Sequence, residues 1–129
     1  MIVGEFKLRS LTIATPFYNE SDGLNNFFKT LIKINKLISK KIKVKYLFID
    51  DGSLDDTLKK LSDFKKKNKF LDIKIYKHKI NYGYGRTLKN SIYLCNTNYL
   101  ITYDSDCTYD YKLIYNLIKK MELEKLDII

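Results

Sequence analysis

The chain alternates short β-patterned runs with longer stretches of helical periodicity, and this alternation restricts its fold more than any other feature. Leu11-Thr12-Ile13-Ala14-Thr15 is β-rich and is predicted to end at Pro16. Leu24, Phe27, Phe28, Leu31 and Ile38 then recur at helical spacing, with Ser21 or Asp22 placed to cap. Tyr46-Leu47-Phe48-Ile49 reads as a short buried strand, broken by Asp50-Asp51-Gly52-Ser53. Leu54, Leu58, Leu61 and Phe64 predict a second helix, with Ser53 and Asp56 at capping-box spacing. Leu71 to Tyr76 alternates as a third strand, Asn81 to Gly85 reads as a loop, and Leu88 and Ile92 mark a third helix. Tyr99 to Tyr103 is a fourth strand, and Leu113, Ile114, Leu117, Ile118 and Met121 make a fourth helix. Leu126-Asp127-Ile128-Ile129 reads as the start of a fifth strand. Strand–helix units in this order predict a mainly parallel sheet with helices on both faces.

A chain of 129 residues suits one domain, 1–129, with no linker or internal repeat to divide it. At 45% hydrophobic residues, wholesale disorder is excluded. No apolar run reaches the roughly 18–20 residues of a membrane-spanning helix, and the first residues do not read as a secretory signal. Cys95 and Cys107 form neither a disulfide framework nor a zinc pattern, so a reducing, cytoplasmic setting is expected. The net charge of +9 rests on lysine, 22 of the 24 basic residues, with arginine only at Arg9 and Arg86. Nucleic-acid readers favour arginine for its bidentate fork, so a solvated basic surface is the preferred reading and no nucleic-acid partner is expected. A phosphate-rich ligand or an anionic membrane surface also fits the charge.

In an open parallel sheet, ligands bind beyond the carboxyl ends of the strands. There the chain places Pro16, Tyr18, Asn19 and Glu20, then Asp50 and Asp51, then Gly83, Gly85 and Arg86, then Asp104, Ser105 and Asp106. In an extended segment Asp104 and Asp106 point to the same side, so both carboxylates could converge on one Mg²⁺ or Mn²⁺. The plainer reading is a turn or helix cap, with Asp106 or Asp110 satisfying backbone donors. Asp50-Asp51-Gly52-Ser53 is equally open between a turn and a carboxylate that holds a base or ribose. Gly83 and Gly85 allow close backbone approach, Arg86 could face a phosphate, and Tyr18 is expected to stack on a base. His78, the single histidine, reads as a surface residue among lysines, and Cys107 as a small buried one.

Taken in order, Thr15-Pro16-Phe17-Tyr18-Asn19-Glu20, Ile49-Asp50-Asp51-Gly52-Ser53 and Asp104-Ser105-Asp106 resemble the inverting family-2 glycosyltransferases of GT-A fold. The run Asp104-Ser105-Asp106-Cys107-Thr108-Tyr109-Asp110 and the Asn81–Gly85 loop are most similar to the dolichol- and polyprenol-phosphate mannosyltransferase-like branch. The resemblance covers Leu11 to Ile129. It implies an α/β, Rossmann-like three-layer sandwich, apparently truncated at the start of its fifth strand. It implies transfer, with inversion and metal dependence, from a UDP- or GDP-sugar donor to a lipid-phosphate or glycan acceptor. Such a role belongs to cell-envelope glycan assembly, in the cytoplasm or at the inner face of a membrane.

By the same resemblance, Pro16, Tyr18, Asn19 and Glu20 line the nucleotide pocket, and Asp50 or Asp51 holds the base or ribose. Gly83, Gly85 and Arg86 lie near the nucleotide, Asp104 meets ribose or metal, and Asp106 ligates Mg²⁺ or Mn²⁺ on the donor diphosphate. Cys107 stands where relatives carry glycine or an apolar residue, and Tyr111 where they often carry proline. The catalytic base is expected beyond Ile129, and the oligomeric state is left open. Alternatives are an inactive nucleotide-binding fragment and a basic nucleic-acid-binding α/β module. A further one is a phosphotransferase of the haloacid-dehalogenase kind, whose nucleophile loop Asp104-Ser105-Asp106-Cys107-Thr108 also resembles. That family places the loop near its N-terminus and needs a lysine and more acids downstream.

Overall fold

The structure is a computed structural model and describes residues 10–125. Four parallel strands, β1 (Ser10–Phe17), β2 (Lys43–Asp50), β3 (Ile73–Lys77) and β4 (Tyr99–Thr102), lie in the order β3-β2-β1-β4. They alternate with α1 (Leu24–Ile38), α2 (Thr57–Lys67), α3 (Tyr84–Leu94) and α4 (Lys112–Glu124). Alternation along β1 and β2 sends Leu11, Ile13, Phe17, Val44, Tyr46 and Phe48 to one face, where the buried sides of α1, α2 and α4 meet them. Ala14, Leu47 and Ile49 point the other way, toward Leu94 at the end of α3. The result is the expected three layers. Leu126 to Ile129, read as the start of a fifth strand, lie outside the described residues.

Under the carboxyl edge of the sheet, Phe17, Phe27 and Phe48 form a triangle of edge-to-face rings with centroids 5.2–5.8 Å apart. Phe28 of α1 stacks on Phe64 of α2 at 4.0 Å, which ties two helices together over the same core.

Three local expectations are corrected. Pro16 does not end β1, which continues to Phe17. The carbonyl of Phe17 accepts from Asp51 N on the β2 side and that of Ala14 from Tyr103 N on the β4 side, so Pro16 faces β4. The β4 register stops at Ala14↔Thr102, and the N–H that proline lacks has no ladder left to join. Ser21 and Asp22 do not cap α1. They form a 3-10 turn, Ser21–Gly23, ahead of Gly23 at the N-cap. The second helix begins at Thr57, leaving Leu54 exposed in the preceding loop. Ser53 Oγ accepts instead from Asn19 N, and Asp55 Oδ1 accepts from Thr57 N. The Ser53 hydroxyl that short-range spacing offers to a helix joins two loops instead, and Asp55 ties the same loops by accepting from Ser21 N through Oδ2.

Candidate active site

At the carboxyl edge, the three motif segments close around one cleft of about 500 Å³. Pro16, Tyr18 and Glu20 enter from the end of β1, Asp51 from β2, Gly83 from the loop before α3, and Asp104 and Asp106 from beyond β4. Phe17, Asn81, Tyr84, Thr87 and Ser105 complete the lining.

The β1 side is held by the β2 side. Asn19, at a left-handed φ of 50°, donates its N–H to Ser53 Oγ and accepts from Leu54 N through Oδ1. Glu20 N donates to the fully buried Thr57 Oγ1 at 2.9 Å, and that hydroxyl donates in turn to Asp55 Oδ1. The Glu20 carboxyl is pushed up by burial first and then by the negative charges of Asp106 and Asp55. Thr57→Val keeps the shape but removes the acceptor for Glu20 N. It is expected to cost about 1–2 kcal/mol in urea unfolding.

Asp51 is 3% exposed, and its carboxylate is already occupied. Oδ1 lies 2.7 Å from His78 Nδ1 and accepts from Tyr82 N, while Oδ2 accepts from Gly83 N, both at 2.9 Å. Burial opposes its charge, but the bonds from His78, Tyr82 and Gly83 outweigh this and hold the carboxyl below its usual range. Gly83, at φ 100°, turns the chain into α3. Asp50 points to the opposite face and is fully buried. Its Oδ2 accepts from Ser53 N, and its Oδ1, like Thr15 Oγ1, has no hydrogen-bond partner among the described residues.

The β4 side carries the acid pair on a tight loop. Buried Tyr103 donates its hydroxyl to Tyr109 O, and Cys107 N donates to Asp104 O. Cys107, half-buried, takes a left-handed φ of 57°, the conformation that glycine adopts most readily. Asp106 is exposed and its Oδ1 accepts from Thr108 N; hydrogen bonding from the Thr108 side chain, then from its backbone N–H, holds the carboxyl below its usual range. Asp110 accepts from Lys112 N at the start of α4, so the capping role considered for these acids is also present. Tyr84 donates its hydroxyl to Asp104 Oδ1 at 2.8 Å, and that carboxylate pushes the phenol up to about 12.

Pro16, Tyr18, Glu20, Asp51, Gly83, Asp104 and Asp106 therefore share one cleft. Asn19, Asp50, Gly85 and Arg86 are not in its lining. Gly85 lies in the first turn of α3, and the Arg86 guanidinium sits 5.1 Å over the Tyr82 ring. Two residues in this network had no sequence signal. His78, read as a surface residue, is held, mostly but not fully buried, between Asp51 and Asn90, whose Nδ2 lies 2.8 Å from its Nε2. Tyr84 was legible only as a loop tyrosine, because its bond to Asp104 spans 20 residues. Asp104 and Asp106 each commit one oxygen to the protein, and Glu20 adds a third acid within reach of the Asp106 charge. Among the described residues, no group of three or more His, Cys, Asp or Glu could cage a metal ion. That donor set fits a hard cation that shares its shell with a phosphate ligand rather than one held by protein alone.

The sequence also matches known proteins. A glycosyltransferase of Synechocystis, itself uncharacterized, is 34% identical over 110 residues, covering 85% of this chain and 33% of that protein. The dolichyl-phosphate beta-glucosyltransferase of Dictyostelium discoideum is 30% identical over 125 residues, 92% of this chain and 38% of that protein. The processive diacylglycerol beta-glycosyltransferase of Mycoplasma genitalium is 28% identical over 121 residues, 92% and 33%. The chain thus spans about a third of the length of the relatives it matches.

Among solved structures, the fold superposes with a TM-score of 0.77 on the mannosyltransferase PcManGT of Pyrobaculum calidifontis, solved with GDP-Man and Mn²⁺. Identity is 16%, covering 93% of this chain and 34% of that one. Residues 1–349 of S. aureus TarS in complex with UDP give 0.72 at 16% identity, covering 90% and 33%. These likenesses establish the GT-A glycosyltransferase fold. The sequence profile of glycosyl transferase family 2 matches residues 12–129, almost the whole chain, and the chain belongs to that family.

Proposed function

We propose that the cleft binds the nucleotide diphosphate of a UDP- or GDP-sugar, and that the protein transfers the sugar, with inversion, to a lipid-phosphate or glycan acceptor. The observation that carries this reading is the convergence of Tyr18, Glu20, Asp104 and Asp106 on one cleft whose wall is pinned by Asp51. In this reading Tyr18, 42% exposed in the cleft lining, stacks on the base. The Asp51-held turn at Tyr82 and Gly83 gives the nucleotide a fixed wall instead of a mobile loop. Asp104 and Asp106 are the residues that would hold Mg²⁺ or Mn²⁺ together with the diphosphate. Such a cation, when bound, offsets the charge that develops on the leaving diphosphate. Tyr84 fixes the orientation of Asp104 for that task. The Dictyostelium and Mycoplasma relatives carry lipids in their names, which favours a lipid acceptor and a membrane-facing location. No helix among the described residues is long and apolar enough to cross a membrane.

Calorimetric titration with GDP and UDP, with and without Mn²⁺, tests the reading. One of the two nucleotides should bind, and more tightly with Mn²⁺. Asp106→Asn should weaken the metal-dependent affinity by about tenfold to a hundredfold, about 1.4–2.8 kcal/mol. Binding of neither nucleotide, or binding indifferent to Mn²⁺ and to Asp106→Asn, would sink the proposal.

A further inference from the structure

A second concavity, about 620 Å³, lies between α1 and α4 and shares no lining residue with the cleft. We propose that this groove is a docking surface for an anionic lipid bilayer. Its rim is Lys33, Lys36 and Lys112, and its floor includes Leu37, Tyr111 and Tyr115. No acidic side chain lines it among the described residues.

The lysines here are not an even scatter. Between Gly23 and Ile49 the chain has seven lysines and no Asp or Glu. Three of them, Lys29, Lys33 and Lys36, recur along α1, Lys40 follows in the turn after it, and all four are exposed. Steps of four and three residues put the three helical lysines in one row along the solvent side of that helix. Glu122 and Glu124, the acids of α4, fall in its last turn and do not reach the groove lining. At the carboxyl edge of the sheet the balance is reversed, with Glu20, Asp51, Asp104 and Asp106 around the cleft. The molecule is therefore polarised, acidic where the donor is proposed to bind and basic on the α1–α4 flank.

The groove's chemistry selects the partner. Lysine is a point charge on a flexible apolar stem, suited to diffuse phosphate layers more than to planar, bidentate recognition. Leu37, at 37% exposure, and the half-buried Tyr111 place apolar and amphipathic surface between the ammonium groups. That pairing matches the boundary between headgroups and acyl chains. Each lysine near an anionic leaflet adds attraction within about a Debye length, so three on one rim act together. This inference does not depend on the donor reading.

Co-sedimentation with vesicles of phosphatidylcholine alone, or with about 30% phosphatidylglycerol, tests it. The chain should bind the anionic vesicles, not the neutral ones, and lose binding as salt rises. Lys33→Glu/Lys36→Glu/Lys112→Glu should weaken binding at least about tenfold. Lys65→Glu/Lys66→Glu/Lys67→Glu makes the same charge change at the end of α2 and should leave most of it. Unchanged calorimetric behaviour and circular dichroism in both variants would show that the fold persists. Equal losses from the two variants would reduce the effect to net charge and overturn the proposal. So would no binding to anionic vesicles, displacement by soluble glycerol phosphate, or a groove-dependent preference for RNA over vesicles.

Discussion

Asp51→Ala is expected to lower the unfolding free energy by about 3–4 kcal/mol, read as a shift of the urea midpoint at neutral pH. The carboxylate is nearly inaccessible and satisfies three donors, His78 Nδ1 and the N–H groups of Tyr82 and Gly83. Alanine leaves all three unpaired, at about 1–3 kcal/mol for each buried group that water cannot reach. Asn restores one acceptor but turns an NH₂ toward a donor, so Asp51→Asn should fall between, at about 2 kcal/mol.

The pH dependence follows from the direction of the Asp51 shift. Its folded carboxyl titrates below the unfolded value of about 3.9, so its stabilisation is fully present above that pH. It is lost as pH falls through the folded value. Wild type and Asp51→Ala should therefore differ by a constant amount from about pH 7 down to about pH 5, and the gap should narrow below about pH 4. A gap that stayed constant into acid would mean that the carboxylate's charge is not what holds the loop. Glu20 is shifted upward and has the opposite sign. It destabilises once ionised in the unfolded chain, and this partly compensates on the acid side.

The layers and the alternation of strands and helices follow from features that are local in the chain. α1 shows its buried residues, Leu24, Phe27, Leu31, Ile34 and Ile38, at steps of three and four. β2 shows a continuous apolar run because both of its faces are covered. Element ends were harder to read. Ser53 and Asp56 have capping-box spacing, but a tertiary partner, Asn19, takes the Ser53 hydroxyl, and the helix starts later. Pro16 is a strand breaker only where a ladder bond would be lost, and the β4 ladder has already ended there.

The acidic strand ends were visible because parallel topology alone gathers them on one edge. What each acid does there was not. Asp51 and His78 are 27 residues apart, and Tyr84 and Asp104 are 20 apart. No periodicity connects such pairs, so a histidine that packs against a buried carboxylate looks in sequence like a histidine among lysines. Asp50 and Asp51 are adjacent and chemically identical, and only the pleat sends one into the helix-covered core and the other to the cleft.

Gly52→Ala should be at least as damaging as Asp51→Ala, at about 3–5 kcal/mol, and should reduce nucleotide binding even in the fraction that folds. Gly52 has a φ of 73°, where a side chain costs about 1–2 kcal/mol by itself. A Cβ there would lie 2.5 Å from the carbonyl carbon of Ile80, 2.7 Å from Asn81 N and 2.8 Å from Ile80 O. All three are backbone atoms, so no side-chain rotation relieves the clash, and the Ile80–Asn81 segment of the loop must move. That loop carries Tyr82 and Gly83, whose N–H groups Asp51 holds, so moving it undoes the same bonds that Asp51→Ala removes. The two substitutions should therefore be strongly sub-additive, the double variant costing about as much as Gly52→Ala alone. Full additivity in urea unfolding would show that Gly52 acts only through its own backbone conformation. It would also show that the wall of the cleft is not a single unit built from Asp51, Gly52 and the loop before α3.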